Sequence, residues 1–236
     1  MSVDGLGPSS RRRTVVTMRS LSLLGAGRRE KLHILCLGAH CDDIDIGCGG
    51  ALLALLDQHH GVDVTWVAFS AIGERARELR KSAGRFLRKA GAARVVTRDY
   101  RDGFLPAHFT AVKEDFEGLK KLASPTVIFT HRRDDRHQDH RLVAELTWNT
   151  FRSHLILEYE VPKYEGDLAA PSAYVSLKPA QVERKIRILL SSYRTQREKR
   201  WFTADTFRGL MRLRGIESGA PSGWAEGFYA SKLLLS

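Results

Sequence analysis

The sequence lacks an apolar run long enough to cross a membrane and contains only three cysteines. A spanning helix needs about 20 consecutive, mostly apolar residues, so we expect no membrane span. Cys36, Cys41 and Cys48 are odd in number and lie close together in the chain. Such a set does not form a disulfide framework and is typical of a protein in a reducing cytoplasm.

The sequence also lacks internal repeats, low-complexity tracts and any recognisable nucleic-acid-binding module. It does have an excess of basic residues, with a formal net charge of +11 over 236 residues. A basic surface permits contact with nucleic acid, anionic lipid or an acidic substrate. A solvated basic face without a specific partner is the simpler interpretation, and we expect no specific nucleic acid.

Composition indicates one soluble α/β domain that follows a basic tail. Residues 1–30 contain six arginines and no sustained periodicity, so we predict a disordered or loosely docked segment. Residues 31–236 have ample apolar material for a core, and we predict that they form a single domain.

From His33 onwards, patterns typical of strands and helices alternate. Apolar runs predict strands at 33–37, 62–69, 94–97 and 126–130, and amphipathic stretches predict helices at 74–90, 109–122, 139–151, 179–190 and 203–213. Repeated strand–helix units with right-handed crossovers predict a mostly parallel sheet with helices on both faces.

Two further expectations concern the edges of these elements. The glycines at 47, 49 and 50 predict a sharp turn and close packing before a helix that begins at Ala51. Residues 158–163 resemble an edge strand that ends at Pro162.

Polar side chains follow two of the predicted strands. The first stretch, residues 35–50, reads LCLGAHCDDIDIGCGG, and the second, residues 131–140, reads HRRDDRHQDH. The carboxyl ends of parallel strands are where open α/β sheets bind ligands. Burying this many carboxylates there without a cation would be costly. The two stretches therefore predict the two halves of one metal site.

The residue types suggest roles at such a site. His40 and Asp43, three positions apart on a strand-to-helix turn, match two ligands of an open zinc site. The third ligand is either His137 or His140, and the spacing does not choose between them. Asp42 is better placed to act as a general base towards water. Asp139 can orient an imidazole by a hydrogen bond.

These stretches also resemble a known family. GAHCDDIDIGCGG is similar to the AHPDD-type signature of the LmbE/PIG-L family of zinc-dependent N-acetylglucosaminyl deacetylases, and DDRHQDH resembles that family's HPDH segment. Residues 75–78 are similar to its RxxE helix, and residues 225–228 to its C-terminal stretch. Cys41 and Gln138 stand where the family usually has proline, and Cys41 is either an inert small side chain or an additional soft ligand.

The resemblance implies a Rossmann-like three-layer sandwich and the hydrolysis of an N-acyl group. Its implied metal ligands are His40, Asp43 and His140. It implies that Asp42 is the general base and that Arg75 lies near the substrate. It also implies that His137, as an imidazolium, stabilises the oxyanion and protonates the leaving amine, and that Asp139 orients His137.

We therefore predict a cytoplasmic deacetylase that removes an N-acetyl or other N-acyl group from a small amino sugar or glycoside, using metal-activated water. Zn²⁺ is the expected cofactor, and the same ligands tolerate Fe²⁺. The alternatives are a metallohydrolase of another bond, such as a phosphoester or other amide, and a basic polyanion-binding protein with a relic site. Residues 98–108, 152–177 and 203–223 are the predicted pocket walls. The sequence does not identify the sugar and leaves homo-oligomerisation open.

Overall fold

The computed structural model describes residues 31–122 and 124–234, so the predicted basic tail at 1–30 lies outside the described residues. The strands and helices, in chain order, are β1 (His33–His40), α1 (Asp43–Gln58), β2 (Asp63–Ser70), α2 (Gly73–Phe86), β3 (Ala92–Thr97), α3 (Phe109–Leu122), β4 (Val127–His131), α4 (Gln138–Thr150), β5 (Leu155–Tyr159), β6 (Ala173–Ser176), α5 (Pro179–Ser192), α6 (Ala204–Glu217) and β7 (Ala225–Tyr229). Among the described helices, none is long and apolar enough to cross a membrane.

The strands form one sheet in the order β3-β2-β1-β4-β5-β7-β6. Strands β1 to β5 are parallel, whereas β7 is antiparallel to both of its neighbours. Alternate residues of β1 enter different cores: Ile34 packs with α1, α2, α5 and α6, and Leu35 packs with α3 and α4. The predicted sandwich of a mostly parallel sheet between two helical layers is confirmed.

Helix α1 begins at Asp43, eight residues before the predicted start, so the three glycines lie inside the helix. Their role is close packing rather than a turn. A Cβ on Gly47 would lie 2.1 Å from Cδ2 of Tyr159, and Gly49 and Gly50 are crowded in the same way. Tertiary packing thus outweighs the low helix propensity of glycine here.

The edge strand predicted at 158–163 is wrong. Strand β5 ends at Tyr159 and lies inside the sheet, paired with β4 and β7. The misleading feature was Glu158, which is buried but accepts hydrogen bonds from Arg133 and from the indole of Trp148. Such long-range partners allow a carboxylate to occupy an interior strand.

The chain order of the strands fixes the position of a crevice. From β1 the chain proceeds outwards to β2 and β3, and then returns to β4 on the other side of β1. This reversal between β1 and β4 is a topological switch point, where open sheets leave a crevice at the carboxyl ends of their strands. His40 ends β1 and His131 ends β4, so the two polar stretches meet there.

Candidate active site

The side chains of His40, Asp43 and His140, from the two polar stretches, form a triangle at this crevice, in which Asp43 faces each histidine with a different carboxylate oxygen. His40 Nδ1 lies 3.2 Å from His140 Nε2 and 3.3 Å from Asp43 Oδ2, while His140 Nε2 lies 3.5 Å from Asp43 Oδ1. Ligand atoms around a tetrahedral ion with bonds of about 2.0–2.1 Å lie about 3.3–3.4 Å apart. The donor types and their spacing therefore fit a divalent ion such as Zn²⁺ or Fe²⁺.

The surrounding residues offer overlapping alternatives for the same ion. The triplets with suitable mutual distances are His40–His137–His140, Asp43–His131–His140 and His40–Asp102–Asp139. His40 and His140 each belong to two of these triplets, and both are almost completely buried. His137 is less buried than either. The triplet that contains both His40 and His140 favours a centre between these two rings.

Each candidate histidine ligand is supported by a carboxylate at its other ring nitrogen. His140 Nδ1 lies 3.0 Å from Asp135 Oδ2, an oxygen that also accepts from Lys163 Nζ at 3.0 Å. His40 Nε2 lies 3.1 Å from Asp139 Oδ2. Such contacts fix the tautomer and the orientation of a metal-binding imidazole.

The side chain of Asp139 thus contacts His40, and the expected pairing of its carboxylate with His137 is wrong. Its oxygens also accept the backbone N–H groups of Gly103 at 2.7 Å and Leu105 at 3.1 Å. Only the backbone N–H of Asp139 reaches His137, donating to Nδ1 at 3.3 Å. The reason is that His137 caps α4 and its ring accepts an amide of the first helical turn.

Asp42 lies beside the triangle in a chain of charged contacts. Its Oδ1 accepts from Arg75 at 2.9 Å, and the same guanidinium donates to Asp102 Oδ2 at 2.9 Å. Asp102 Oδ1 in turn lies 3.1 Å from His40 Nε2. Burial raises the pKa of Asp42, and the positive charge of Arg75 only partly opposes this. Asp42 is therefore a stronger base than an exposed aspartate.

The histidines and carboxylates of the centre shift one another's pKa values in opposite directions. Burial alone would lower the pKa of His40, but the charge of Asp43 and hydrogen bonds to carboxylates raise it well above its ordinary value. Burial alone would raise the pKa of Asp43, but the adjacent histidines hold it well below its ordinary value. A divalent cation would replace the histidine proton in this arrangement, because metal binding requires neutral imidazole and ionised carboxylate.

His131 and Asp102 are site residues that the sequence reasoning missed. His131 is fully buried, its Nε2 lies 3.1 Å from Asp43 Oδ2, and its ring stacks on His140 at 3.8 Å. Burial and the charge of His140 lower the pKa of His131 to about 4, so it is neutral at pH 7. The feature of the sequence that could have indicated His131 as a site residue was its position at the end of a strand, a position that His40 also occupies. No motif marks Asp102, although it lies in a predicted pocket wall.

The centre opens into a cleft with a volume of about 160 Å³. Its lining comprises His40, Asp42, Asp43, Arg75, Asp102, His137, His140, Val161, Lys163, Tyr164, Glu165, Lys199 and Trp201. Two predicted walls, 98–108 and 152–177, contribute to the lining. The third, 203–223, does not, because it is mostly helix α6, and the segment before that helix lines the cleft instead.

Cys41 belongs to the supporting structure rather than to the centre. Its thiol is buried and donates to the carbonyl oxygen of Ser70 at 3.4 Å. Burial raises the pKa of this thiol to about 12. The structure therefore favours the interpretation of Cys41 as an inert small side chain over that of a soft ligand, since thiols bind metal as thiolates.

This fold and site define an α/β protein whose candidate active site combines histidines and carboxylates at the switch point of a parallel sheet. Residues 35–151, about half of the chain, match the sequence model of PIG-L, described as GlcNAc-PI de-N-acetylase. The chain therefore belongs to the PIG-L family of deacetylases, as its motifs predicted.

Individual relatives agree with this assignment. The uncharacterized deacetylase YaiS of Escherichia coli strain K12 is 27% identical in an alignment 154 residues long, which covers 60% of this chain and 80% of YaiS. The N,N'-diacetylchitobiose deacetylase of Pyrococcus horikoshii has a similar structure, with a TM-score of 0.61, 20% identity and coverage of 84% of this chain and 83% of that one.

The same fold also occurs in a protein with a different reaction. GalB, the 4-carboxy-2-hydroxymuconate hydratase of Pseudomonas putida KT2440, has a TM-score of 0.64, 14% identity and coverage of 87% of this chain and 98% of GalB. At these identities the solved structures show the fold alone. The chemistry of this chain must therefore be argued from its own residues.

Proposed function

We propose that this protein is a metal-dependent deacetylase that hydrolyses the N-acetyl, or other N-acyl, group of an amino sugar or glycoside. The observation that carries the proposal is the triangle of the His40, Asp43 and His140 side chains, whose nitrogen and oxygen atoms approach within 3.2–3.5 Å of one another, beside the carboxylate of Asp42, which accepts from Arg75. Hydrolysis of an amide by an activated water requires residues that hold a metal ion and a further carboxylate close enough to accept a proton from the water.

His40, Asp43 and His140 would hold the ion, and Zn²⁺ or Fe²⁺ fits their donor set. When bound, the ion would polarise the amide carbonyl and lower the pKa of a water molecule. Asp139 and Asp135 would orient the two imidazoles and fix their tautomers, each through the ring nitrogen that faces away from the ion.

Asp42 would accept the proton of the attacking water. Its carboxylate is buried, has a raised pKa and is held in place by Arg75 at 2.9 Å. A base works best when its pKa lies near the pH of the reaction. Arg75 would therefore act first as the group that positions Asp42, and its contact with the substrate stays a prediction.

His137 would stabilise the oxyanion by donating a hydrogen bond. Because its Nδ1 accepts the backbone N–H of Asp139, the proton of the neutral ring lies on Nε2. Burial and the charges of His140 and His40 lower the pKa of His137, so these surroundings disfavour the imidazolium expected from the sequence. In this account the leaving amine receives the proton that Asp42 has taken from water.

The direct test is acetate release by the purified full chain supplied with Zn²⁺ or Fe²⁺. N-acetylglucosamine and N,N'-diacetylchitobiose are suitable first substrates, with phosphate release from a phosphomonoester measured in parallel. We expect metal-dependent acetate release and no phosphate release. Phosphate release without acetate would favour the phosphoesterase alternative. Salt-sensitive binding to a polyanion without bound metal would favour the relic site.

A further inference from the structure

Residues 193–201 follow α5, and we call this segment the basic wall. It contributes to the cleft a lysine whose side chain has no ion-pair partner among the described residues. Arg75, Lys163 and Lys199 are the basic residues of the cleft lining. Arg75 and Lys163 are each bound by two carboxylates. The side chain of Lys199 is exposed, and its Nζ forms neither an ion pair nor a hydrogen bond with any residue that the structure describes. It is thus free to bind an anion.

The basic wall is fixed to the body of the site at two points. The hydroxyl of Tyr193 contacts Asp45 Oδ2 at 2.8 Å and the carbonyl oxygen of Cys41 at 2.7 Å. Glu78 of α2, which is buried, accepts from both the backbone N–H and the hydroxyl of Thr195. These contacts hold the wall next to the catalytic carboxylates, so that little ordering is needed when a ligand binds.

The lysine stands next to a flat apolar surface. Trp201 is partly exposed in the cleft, and Lys199 Nζ lies 5.6 Å from the centroid of its ring. The basic wall also carries three arginines against the single acidic residue Glu198. An aromatic face with an adjacent cation suits a ring that bears a negative charge.

Among the lysine, arginine and carboxylate side chains of the lining, Glu165 is the other one without an ion pair to a described residue. Glu165 belongs to the loop after β5 and lines the cleft on a different segment from Lys199. A carboxylate accepts hydrogen bonds from sugar hydroxyls but repels an anion. An anionic group in this cleft is therefore favoured at the basic wall and disfavoured at the loop.

We propose that Lys199 and Trp201 form a specificity subsite for an anionic group on the aglycone of the amino sugar. Lys199 binds the charge of a phosphate or carboxylate, and Trp201 packs against the adjoining ring. This inference rests on the proposed function for its position relative to the acyl group. It also specifies the class of substrate, which is N-acyl amino sugars that carry a negative charge.

Three ligands that differ only at the anomeric substituent test the proposal. They are the methyl glycoside, the carboxymethyl glycoside and the 1-phosphate of N-acetylglucosamine, with kcat and KM from acetate release and Kd from calorimetry. For the wild type we expect a lower KM for both anionic ligands than for the methyl glycoside. Lys199→Gln should raise the KM of the anionic ligands about tenfold, the loss of one charge-assisted contact, with a much smaller change in the KM of the neutral substrate.

Arg200→Gln is the matched control, because it removes one charge from the adjacent residue, which does not line the cleft. It should leave all three KM values unchanged. The subsite is refuted if Lys199→Gln affects neutral and anionic ligands equally, or affects neither. If no ligand releases acetate, the proposed function fails, and the three Kd values for wild type and Lys199→Gln still decide the subsite. A preference for the phosphate alone would restrict the class to phosphorylated sugars.

Discussion

Asp42 and Asp43 are adjacent in the sequence but make different contacts. Asp43 lies among His40, His131 and His140, and those histidines hold its pKa well below the ordinary value. Asp42 instead pairs with Arg75, and burial raises its pKa. The surroundings thus favour the proposed roles of Asp43 as a ligand and Asp42 as a base, which residue type alone does not distinguish.

This separation predicts different losses for two substitutions. Asp42→Asn should keep the metal but lower kcat about 10²–10⁴-fold, because it removes the general base without a change of shape. His140→Ala should lose the metal and the activity together. Metal content and acetate release measured on the same preparations check both outcomes. Equal loss of metal in the two variants would contradict the assignment of roles.

Asp45 shows a second effect of burial at the residue scale. Its carboxyl group is fully buried, contacts Ser82 and Tyr193, and has its pKa raised to about 8 by burial. The single hydroxyl proton of Tyr193 faces two acceptors, Asp45 and the carbonyl oxygen of Cys41. A protonated Asp45 resolves this conflict, since it donates to the tyrosine oxygen while the tyrosine donates to the carbonyl.

A neutral Asp45 predicts a pH dependence of stability. In the unfolded chain this group loses its proton near pH 4, but in the folded chain only near pH 8. Folding therefore retains a proton between these values, and the free energy of unfolding falls as the pH rises. Asp45→Asn has no proton to lose, so its stability relative to the wild type should rise from pH 5 to pH 8, by at most about 1.4 kcal/mol per unit. Urea unfolding at several pH values measures this difference, and parallel curves would contradict the prediction.

At the scale of elements, helix α1 depends on glycine at its contact with the sheet. Gly47→Ala would place a methyl group 2.1 Å from the buried ring of Tyr159. We expect destabilisation by about 3 kcal/mol through overpacking, visible as a lower Tm. Gly84→Ala in α2 is the control, because no atom lies within 4 Å of its added Cβ. It should be neutral or slightly stabilising; a similar loss in both variants would indicate that contact with Tyr159 is not the cause.

The elements differ in how far the sequence predicts them. Strands β1 and β4 are buried on both faces and appear as continuous apolar runs, so the site at their ends could be predicted. Strand β7 was not predicted, because its Glu226 is charged. The structure buries Glu226 against Lys185 of α5 at 2.5 Å. A partner 41 residues away in the chain leaves no local pattern.

At the scale of the whole molecule, the sequence predicted the site where its residues are close together in the chain. His40 with Asp43, and His137 with His140, occur in short motifs. Asp102 and Lys199 reach the same cleft from loops whose paths depend on the packing of several elements. The two motifs of the candidate site and two of its three walls could therefore be predicted, whereas the wall segment that contains Lys199 needed the structure.

The central claim is that His40, Asp43 and His140 bind one metal ion, and elemental analysis of the purified full chain tests it most directly. Wild type and His40→Ala are measured side by side, before and after reconstitution with Zn²⁺ or Fe²⁺. The account predicts about one equivalent of zinc or iron in the wild type and little in the variant. No metal in the wild type after reconstitution, or equal metal in both proteins, would contradict it.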